Sequence, residues 1–313
     1  MNLLDHRILL VTGKGGVGKT TVAVSLGLAA AKTGMRTLIA ETSGAARVPP
    51  LFDLNKVSYD PFRLHPDLPL FTLSITPEAA IEDYVVQQIR FRQLYKLVFQ
   101  NRIIGPFVDG VPGLHDAVQL GKIMDLERSS WPGGQPKWDL IIVDAPATGH
   151  GVTMLRSAQT MMDLTRAGPM YDGVKQVQDA IGDPKTTGLV LVCLPEEMPT
   201  NETIDLWRRL DMESRAQVKA LVLNSVYPAP FDDRSIWPQR RGALLEQAGP
   251  AVVEAAGLLD RWLERLAQQD ASQTQLAATI DAPMRTLPHH FDGPPDVEIM
   301  GQMGQALLSE DQP

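Results

Sequence analysis

The fold is decided by the stretch Arg7-Ile-Leu-Leu-Val-Thr12, which runs directly into Gly13-Lys-Gly-Gly-Val-Gly-Lys-Thr20. An apolar run that ends at a glycine cluster and is followed by good helix formers, here from Thr20 to Lys32, predicts a strand, a loop and a helix. Gly34 stands where a helix stop belongs, and a second apolar run extends from Arg36 to Glu41. The chain therefore opens with a strand–helix–strand unit.

Five further segments are predicted to be buried strands, because they are continuously apolar rather than alternating, as strands covered on both faces are. They are Leu70–Ile75, Trp138–Val143, Gly188–Cys193, Val218–Leu223 and Met284–Leu287. Stretches long enough for helices separate most of them. The pattern predicts an α/β fold with a doubly wound, mostly parallel sheet.

The glycine-rich loop has the pattern G-x-x-x-x-G-K-T and lies after a strand and before a helix, the context that this phosphate-binding motif requires. Its glycines let backbone amides turn toward a phosphate chain, and the positive end of the following helix adds to the attraction. We expect Lys19 to reach the β- and γ-phosphates of a nucleotide and the Thr20 hydroxyl to bind Mg²⁺. The predicted nucleotide-binding residues here are Gly13, Lys14, Gly15, Gly16, Val17, Gly18, Lys19, Thr20 and Thr21.

A second magnesium-binding group ends another predicted strand. Trp138-Asp-Leu-Ile-Ile-Val-Asp144 is an apolar run that terminates in a carboxylate, and such a strand-end aspartate holds Mg²⁺ directly or through water. Asp144-Ala-Pro-Ala-Thr-Gly-His150 follows without a break. Taken alone, His150 is more often a structural histidine than a functional one.

Two of these segments resemble a known family. The K-G-G-x-G-K-T form of the loop is similar to that of the ParA, MinD and ArsA group of nucleotide-sandwich ATPases. Residues 144–150 resemble the D-T-A-P-T-G-H switch segment of the arsenite-pump and tail-anchored-protein-targeting ATPases. The resemblance implies a P-loop NTPase that uses ATP and Mg²⁺, with Lys14, Lys19 and Asp144 acting in catalysis and His150 in a switch element. It further implies that Lys14 reaches the nucleotide of a second subunit; a lysine that only adds local positive charge is the alternative.

Three further segments extend the resemblance over most of the chain. They are Pro112–Ala117, Val192–Glu197 with Glu202-Thr203 after it, and Leu221–Asn224. The resemblance implies that Asn224 reads the adenine edge, which suits an amide because it both donates and accepts hydrogen bonds. It also implies that Pro288 lies in a loop that packs on the base. A capping or turn role for Asn224 is the alternative.

One departure from the family bears on hydrolysis. The family usually has D-P-A-H after its second strand, with an aspartate that orients the attacking water, whereas this chain reads Ala40-Glu-Thr-Ser-Gly-Ala45. Glu41 lies one position too early, so it is either a displaced carboxylate or a ribose or structural contact. Since a general base contributes about 10²-fold or more, we expect hydrolysis to be slow or to use another group.

The domain organisation is predicted as a single P-loop ATPase domain, residues 1–313, with two helical insertions. Residues 77–136 have apolar side chains at helical spacing and are predicted to form a helical subdomain, and residues 229–280 are predicted to form a second insertion. Two sets of apolar residues are candidates either for a core or for a client surface. They are Met154, Met161, Met162 and Met170, and, within 78–104, Tyr84, Phe91, Tyr95 and Phe99.

Composition excludes several functions. The net charge of −8 gives no global attraction for nucleic acid or an anionic membrane. One cysteine, Cys193, means that no intramolecular disulfide, cysteine-paired zinc site or multi-thiol metalloid site can form within one chain, and we expect it to be a buried small hydrophobe. No secretory signal or run of 18 apolar residues occurs, which predicts a cytoplasmic protein without a stable membrane anchor.

The leading hypothesis is a dimeric Mg-ATP-dependent switch that controls a partner or client protein, as a homodimer or with a paralogous ATPase. The missing aspartate motivates an alternative, a hydrolysis-deficient ATP-binding partner of a paralogue. A positioning ATPase like MinD or ParA is disfavoured by the acidic balance and by Gly304–Pro313, which is neither basic nor amphipathic enough to anchor.

Overall fold

The computed structural model describes residues 3–44, 46–89, 113–146, 169–246 and 249–309. The strands are β1 Ile8–Gly13, β2 Thr37–Glu41, β3 Phe62–Arg63, β4 Leu70–Ser74, β5 Leu140–Asp144, β6 Thr187–Cys193, β7 Val218–Val226 and β8 Met284–Pro288. The helices are α1 Lys19–Lys32, α2 Pro77–Ile89, α3 Leu114–Arg128, α4 Pro169–Gly182, α5 Glu197–Arg209, α6 Met212–Ala216, α7 Trp237–Leu245, α8 Pro250–Thr279 and α9 Val297–Leu308. The predicted strands and the first predicted helix are all present, with ends that differ by at most three residues.

The strands form one sheet in the order β3-β4-β2-β5-β1-β6-β7-β8. Every neighbouring pair is parallel except β3 with β4. The carboxyl ends of the parallel strands therefore meet along one edge of the sheet, which is where doubly wound folds bind their ligands. The glycine-rich loop at residues 13–20, called the phosphate loop below, lies at this edge. Glu41, Asp144 and Asn224 also lie at or near it.

Helices cover both faces of the sheet, which explains the continuously apolar strands. In β1, Ile8 and Leu10 belong to one hydrophobic core and the alternate residues Leu9 and Val11 to the other. The first core is shared with α2 to α5 and the end of α8, and the second with α1 and α9. This two-sided burial confirms the predicted α/β, doubly wound, mostly parallel fold.

Strand β3 was not predicted from the sequence. It has two residues, pairs antiparallel with β4 and is the outermost strand on one side of the sheet, opposite to β8. Periodicity needs a run of about four residues or more to indicate a strand, so this one leaves no pattern.

The two ends of the predicted helical subdomain pack on the sheet. Ala80 of α2 and Leu120, Ile123 and Met124 of α3 are buried in the same core as strand residues. Residues 90–112, between these helices, lie outside the described residues, so the subdomain at 77–136 stays a prediction. The second predicted insertion, at 229–280, contains α7 and α8 between β7 and β8.

Helix α9 places the C-terminal residues of the described chain against the core. Met300, Met303 and Leu307 are buried. A Cβ on Gly304 would lie 1.9 Å from the carbonyl oxygen of Ser25, so α9 approaches α1 more closely than any other side chain would allow. None of the helices in the described part of the chain is both long and apolar enough to cross a membrane.

Candidate functional site

The phosphate loop connects β1 to α1 through backbone that only glycine adopts without strain. Gly18 precedes the helix with φ 93°, in the left-handed region. A Cβ there would lie 2.2 Å from Nδ2 of Asn224, and a Cβ on Gly13 would lie 2.2 Å from the carbonyl oxygen of Val192. Both positions therefore require glycine for conformation and for space.

The loop presents a row of amides that no group in the described part of the chain uses. The N–H groups of Gly15, Gly16, Val17 and Gly18 donate to no other group among the described residues. Gly15 and Gly16 are exposed, and the row ends at the N-terminus of α1. Unpaired amides at a helix N-terminus form a ready site for a phosphate chain.

Lys19 lies beside this row of amides. The side chain is largely buried, and its Nζ donates to the carbonyl oxygen of Lys14 at 2.9 Å. Burial lowers the pKa of Lys19, and the nearby Arg47 lowers it further, whereas Asp144 raises it. An anion bound to the loop would favour the charged form of this lysine.

Two oxygen groups of the kind that bind magnesium meet next to Lys19. The Thr20 hydroxyl donates to Oδ2 of Asp144 at 2.6 Å, and Asp144 is 2% exposed. Burial raises the pKa of Asp144, against the opposing effects of Thr20, Lys19 and Arg47. A buried carboxylate and an adjacent hydroxyl fit Mg²⁺, which takes oxygen ligands.

Glu41 is held in a structural contact. It is 1% exposed, and its Oε1 accepts hydrogen bonds from the backbone N–H groups of Arg47 at 2.5 Å and Val48 at 2.9 Å. Its Oε2 is buried and has no hydrogen-bond partner in the described residues. Burial raises the pKa of Glu41, and Asp144, opposite it in the sheet register, raises it further. The sequence left open a displaced carboxylate or a ribose or structural contact for Glu41, and the structure shows the structural contact.

A cavity of about 270 Å³ lies at the other end of the site, beyond β6. Asn224 and Pro288, the two residues predicted to contact the base, both line it, together with Thr21 from the predicted nucleotide-binding segment. The Asn224 amide donates from Nδ2 to the carbonyl oxygen of Val17 at 2.9 Å, which ties the end of β7 to the phosphate loop.

Ser225 and His289 also line this cavity and were not singled out from the sequence. Oγ of Ser225 lies 2.6 Å from Nδ1 of His289, and the imidazole stacks on Tyr227 with ring centroids 4.2 Å apart. Burial, Arg265 and His290 lower the pKa of His289. Pairs that join residues 64 positions apart leave no signal in local sequence.

Lys14 is paired within its own chain. Its Nζ lies 2.6 Å from Oε1 of Glu202 on α5, and both side chains are partly exposed. In the sequence, Glu202 stood out only as part of a segment that resembles the ArsA-like family, and its pairing with Lys14 was not predicted. The contact directs Lys14 toward α5 of the same chain.

Comparison with known proteins agrees with this geometry. The sequence model of the anion-transporting ATPase family matches residues 6–171 and 162–246, which together include the phosphate loop, Asp144 and Asn224. The chain belongs to the anion-transporting ATPase family. The ArsA-like resemblance noted in the sequence is thereby confirmed.

Relatives of this ATPase family are similar over much or nearly all of the chain. ATPase BagA of Mycobacterium tuberculosis is 27% identical, over 97% of this chain and 93% of its own length. ATPase GET3 of Lachancea thermotolerans is 25% identical, over 74% of this chain and 75% of its own length. A putative arsenical pump-driving ATPase of Halobacterium salinarum is 25% identical, over 77% of this chain and 39% of its own length.

Some sequence predictions for this ATPase fall outside the described residues. These are His150 with Thr148 and Gly149, the methionines Met154, Met161 and Met162, and the aromatic residues Phe91, Tyr95 and Phe99. Cys193 is within the described residues and is fully buried, as expected; burial raises the pKa of its thiol. No group of three or more His, Cys, Asp and Glu side chains in the described ranges is arranged to hold a metal ion.

Proposed function

We propose that this member of the anion-transporting ATPase family is a dimeric switch that binds Mg-ATP, hydrolyses it slowly and thereby controls a partner protein. The observation that carries the proposal is the row of amides from Gly15 to Gly18, unpaired among the described residues, beside Lys19 and the Thr20–Asp144 pair. Within one loop and one strand end, these groups supply hydrogen-bond donors for a phosphate chain. They also supply oxygen ligands for a cation.

The site residues have distinct proposed roles. The loop amides and Lys19 hold the phosphates, Thr20 and Asp144 hold Mg²⁺, and Asn224, with Thr21 and Pro288, contacts the base. Mg²⁺ would neutralise charge on the phosphate oxygens. For Asn224 to reach the base, its amide must leave the carbonyl oxygen of Val17 or share its second N–H with the base.

Lys14 is proposed to act across the dimer, on the nucleotide of the second subunit. In the structure it is paired with Glu202 of its own chain, so the proposal requires this ion pair to break when two subunits close on ATP. Binding energy from the nucleotide supports such a change only if the closed dimer binds ATP more tightly than the open chain does.

The test is nucleotide-dependent dimerisation, followed by analytical ultracentrifugation with ATP, with ADP and without nucleotide. We expect ATP to produce the dimer. Lys14→Ala should weaken dimerisation more than it weakens nucleotide binding, whereas Lys19→Ala should remove both. Equal losses of binding and dimerisation in Lys14→Ala would contradict the role across subunits.

Hydrolysis is proposed to be slow because no aspartate stands in the family's position after β2. Glu41, which stands opposite Asp144 in the sheet register, stays the candidate for a displaced carboxylate through its Oε2, which is buried and has no hydrogen-bond partner in the described residues. If Glu41 is the hydrolytic group, Glu41→Gln stops cleavage while ATP stays bound. Cleavage at the wild-type rate would exclude it.

A second candidate function is a hydrolysis-deficient partner of a paralogous ATPase. The engagement of Glu41 with the amides of Arg47 and Val48 favours it, because this carboxylate then serves the loop rather than a water molecule. A chain that stays monomeric with ATP but forms a complex with a paralogue would support this function over the homodimeric one.

The partner protein and the cytoplasmic location are proposed from the sequence and its resemblance. A positioning ATPase on DNA or membrane is disfavoured by the net charge of −8 and by α9, whose apolar residues pack on α1. Sedimentation with DNA or with liposomes in the presence of ATP would reopen that alternative.

A further inference from the structure

The loop that follows β2 is fastened at both ends beside Asp144. At its start, the backbone N–H of Thr42 donates to the carbonyl oxygen of Asp144 at 3.2 Å, and the Thr42 hydroxyl donates to the same oxygen at 3.1 Å. At its end, Oε1 of Glu41 accepts the N–H groups of Arg47 and Val48. A buried carboxylate therefore fixes the backbone of Arg47 at the phosphate site.

The Arg47 side chain is exposed and makes no hydrogen bond or ion pair with any described residue. Its backbone nevertheless lies close to Asp144, because Glu41, whose Oε1 accepts the Arg47 N–H, stands opposite Asp144 in the sheet register. Arg47 and Lys19 thus bring two cations to the strand ends around Asp144, which accepts the hydroxyl of Thr20 next to Lys19, and Lys19 is buried. Such an arrangement is unfavourable without an anion and favourable with one.

The sheet order indicates which part of a nucleotide Arg47 would meet. The cavity lined by Thr21, Asn224 and Pro288 is on the β7–β8 side of the phosphate loop. The loop after β2 is on the opposite side, with β5 and Asp144 between it and β1. A nucleotide whose base occupied the cavity would extend its phosphates across the phosphate loop, so its terminal phosphate would be the group nearest to Arg47.

We propose that Arg47 binds the terminal phosphate of a nucleoside triphosphate, and that Glu41 fixes the loop from which Arg47 reaches it. This inference rests on the proposed function and names the residue that distinguishes ATP from ADP at that site. Guanidinium suits the task because it stays charged and offers several donors to phosphate oxygens. A diphosphate lacks the group that Arg47 contacts.

The test compares affinities for Mg-ADP and for a non-hydrolysable Mg-ATP analogue, measured by calorimetry on the full chain. Arg47→Gln should lower affinity for the ATP analogue about tenfold, from the loss of a charge-assisted hydrogen bond, and change affinity for ADP less than about twofold. Arg47→Lys should recover part of the preference. Arg63→Gln, at the exposed outer edge of the sheet, removes the same charge far from the site and should change neither affinity.

Each other outcome overturns the assignment. Unchanged affinities in Arg47→Gln would show that the guanidinium does not contact phosphate. Equal losses for both nucleotides would show that Arg47 only supports the loop. Failure of the wild-type chain to bind either nucleotide would overturn the proposed function itself, whereas wild-type binding with no ATP preference would overturn the role of Arg47 alone.

Discussion

Neutralising Glu202 should strengthen ATP-dependent dimerisation. Lys14 is paired with Glu202 at 2.6 Å within one chain, and the proposed role of Lys14 in a second subunit requires that pair to break. Glu202→Gln removes the attraction while it keeps the size of the side chain and an oxygen acceptor. Under the proposed function, the wild-type protein would lose this ion pair on dimerisation, whereas the variant has no ion pair to lose.

The magnitude follows from the exposure of the pair. The exposed fractions of the two side chains are 30% and 38%, so solvent screens the interaction. Such a pair contributes about 0.5–1 kcal/mol, and a dimer breaks two of them, about 1–2 kcal/mol in total. Since 1.4 kcal/mol corresponds to tenfold, the dissociation constant of the dimer should fall by about 5- to 30-fold. High salt should reduce the difference between wild type and variant.

The assay is sedimentation equilibrium with Mg²⁺ and a non-hydrolysable ATP analogue. Asp205→Asn is the matched control, because Asp205 lies on the same helix, is exposed and loses the same charge. In a Lys14→Ala background, Glu202→Gln should have no further effect. Dimerisation that is unchanged or weaker in Glu202→Gln, or strengthened equally in Asp205→Asn, would refute the reasoning.

Two predictions concern stability, measured by urea denaturation. His6 is 1% exposed with both ring nitrogens unpaired among the described residues, and burial and Lys219 lower its pKa. The unfolded chain then binds the extra proton, so stability should fall as pH drops through about 6.5, and His6→Leu should show a smaller fall. Gln119 of α3 is buried and donates to the carbonyl oxygens of Thr42 and Ile75, so Gln119→Leu should cost about 1–3 kcal/mol, whereas Gln176→Leu at the surface should cost under about 0.5 kcal/mol. A pH profile of His6→Leu that parallels wild type, or equal losses for the two glutamine variants, would contradict these assignments.

The sheet and the phosphate loop could be predicted because their signals are local. The apolar run of β1, the glycines after it and the helix formers of α1 are consecutive, and Asp144 directly ends the apolar run of β5. Burial on both faces removes alternation from the strands, which is itself a recognisable pattern. Strand β3 gave no such pattern because two residues carry no periodicity.

The contacts that tune the site could not be predicted because they join distant parts of the chain. Lys14 meets Glu202 from another helix, and Ser225 meets His289 across 64 positions. The contact of Glu41 depends on how the following loop folds back, which brings the backbone of Arg47 to Glu41 without any motif around it. Tertiary packing, rather than local sequence, determines which residues form such pairs.

In the proposed function, the phosphate loop binds Mg-ATP and the chain cleaves it slowly. The most direct measurement is a single-turnover experiment with labelled ATP, Mg²⁺ and excess protein, in which the bound and the cleaved fractions are recorded together. We predict that the wild-type chain retains ATP and cleaves it slowly, and that Lys19→Ala retains none. Absence of bound ATP in the wild-type chain, or equal retention by Lys19→Ala, would contradict the claim.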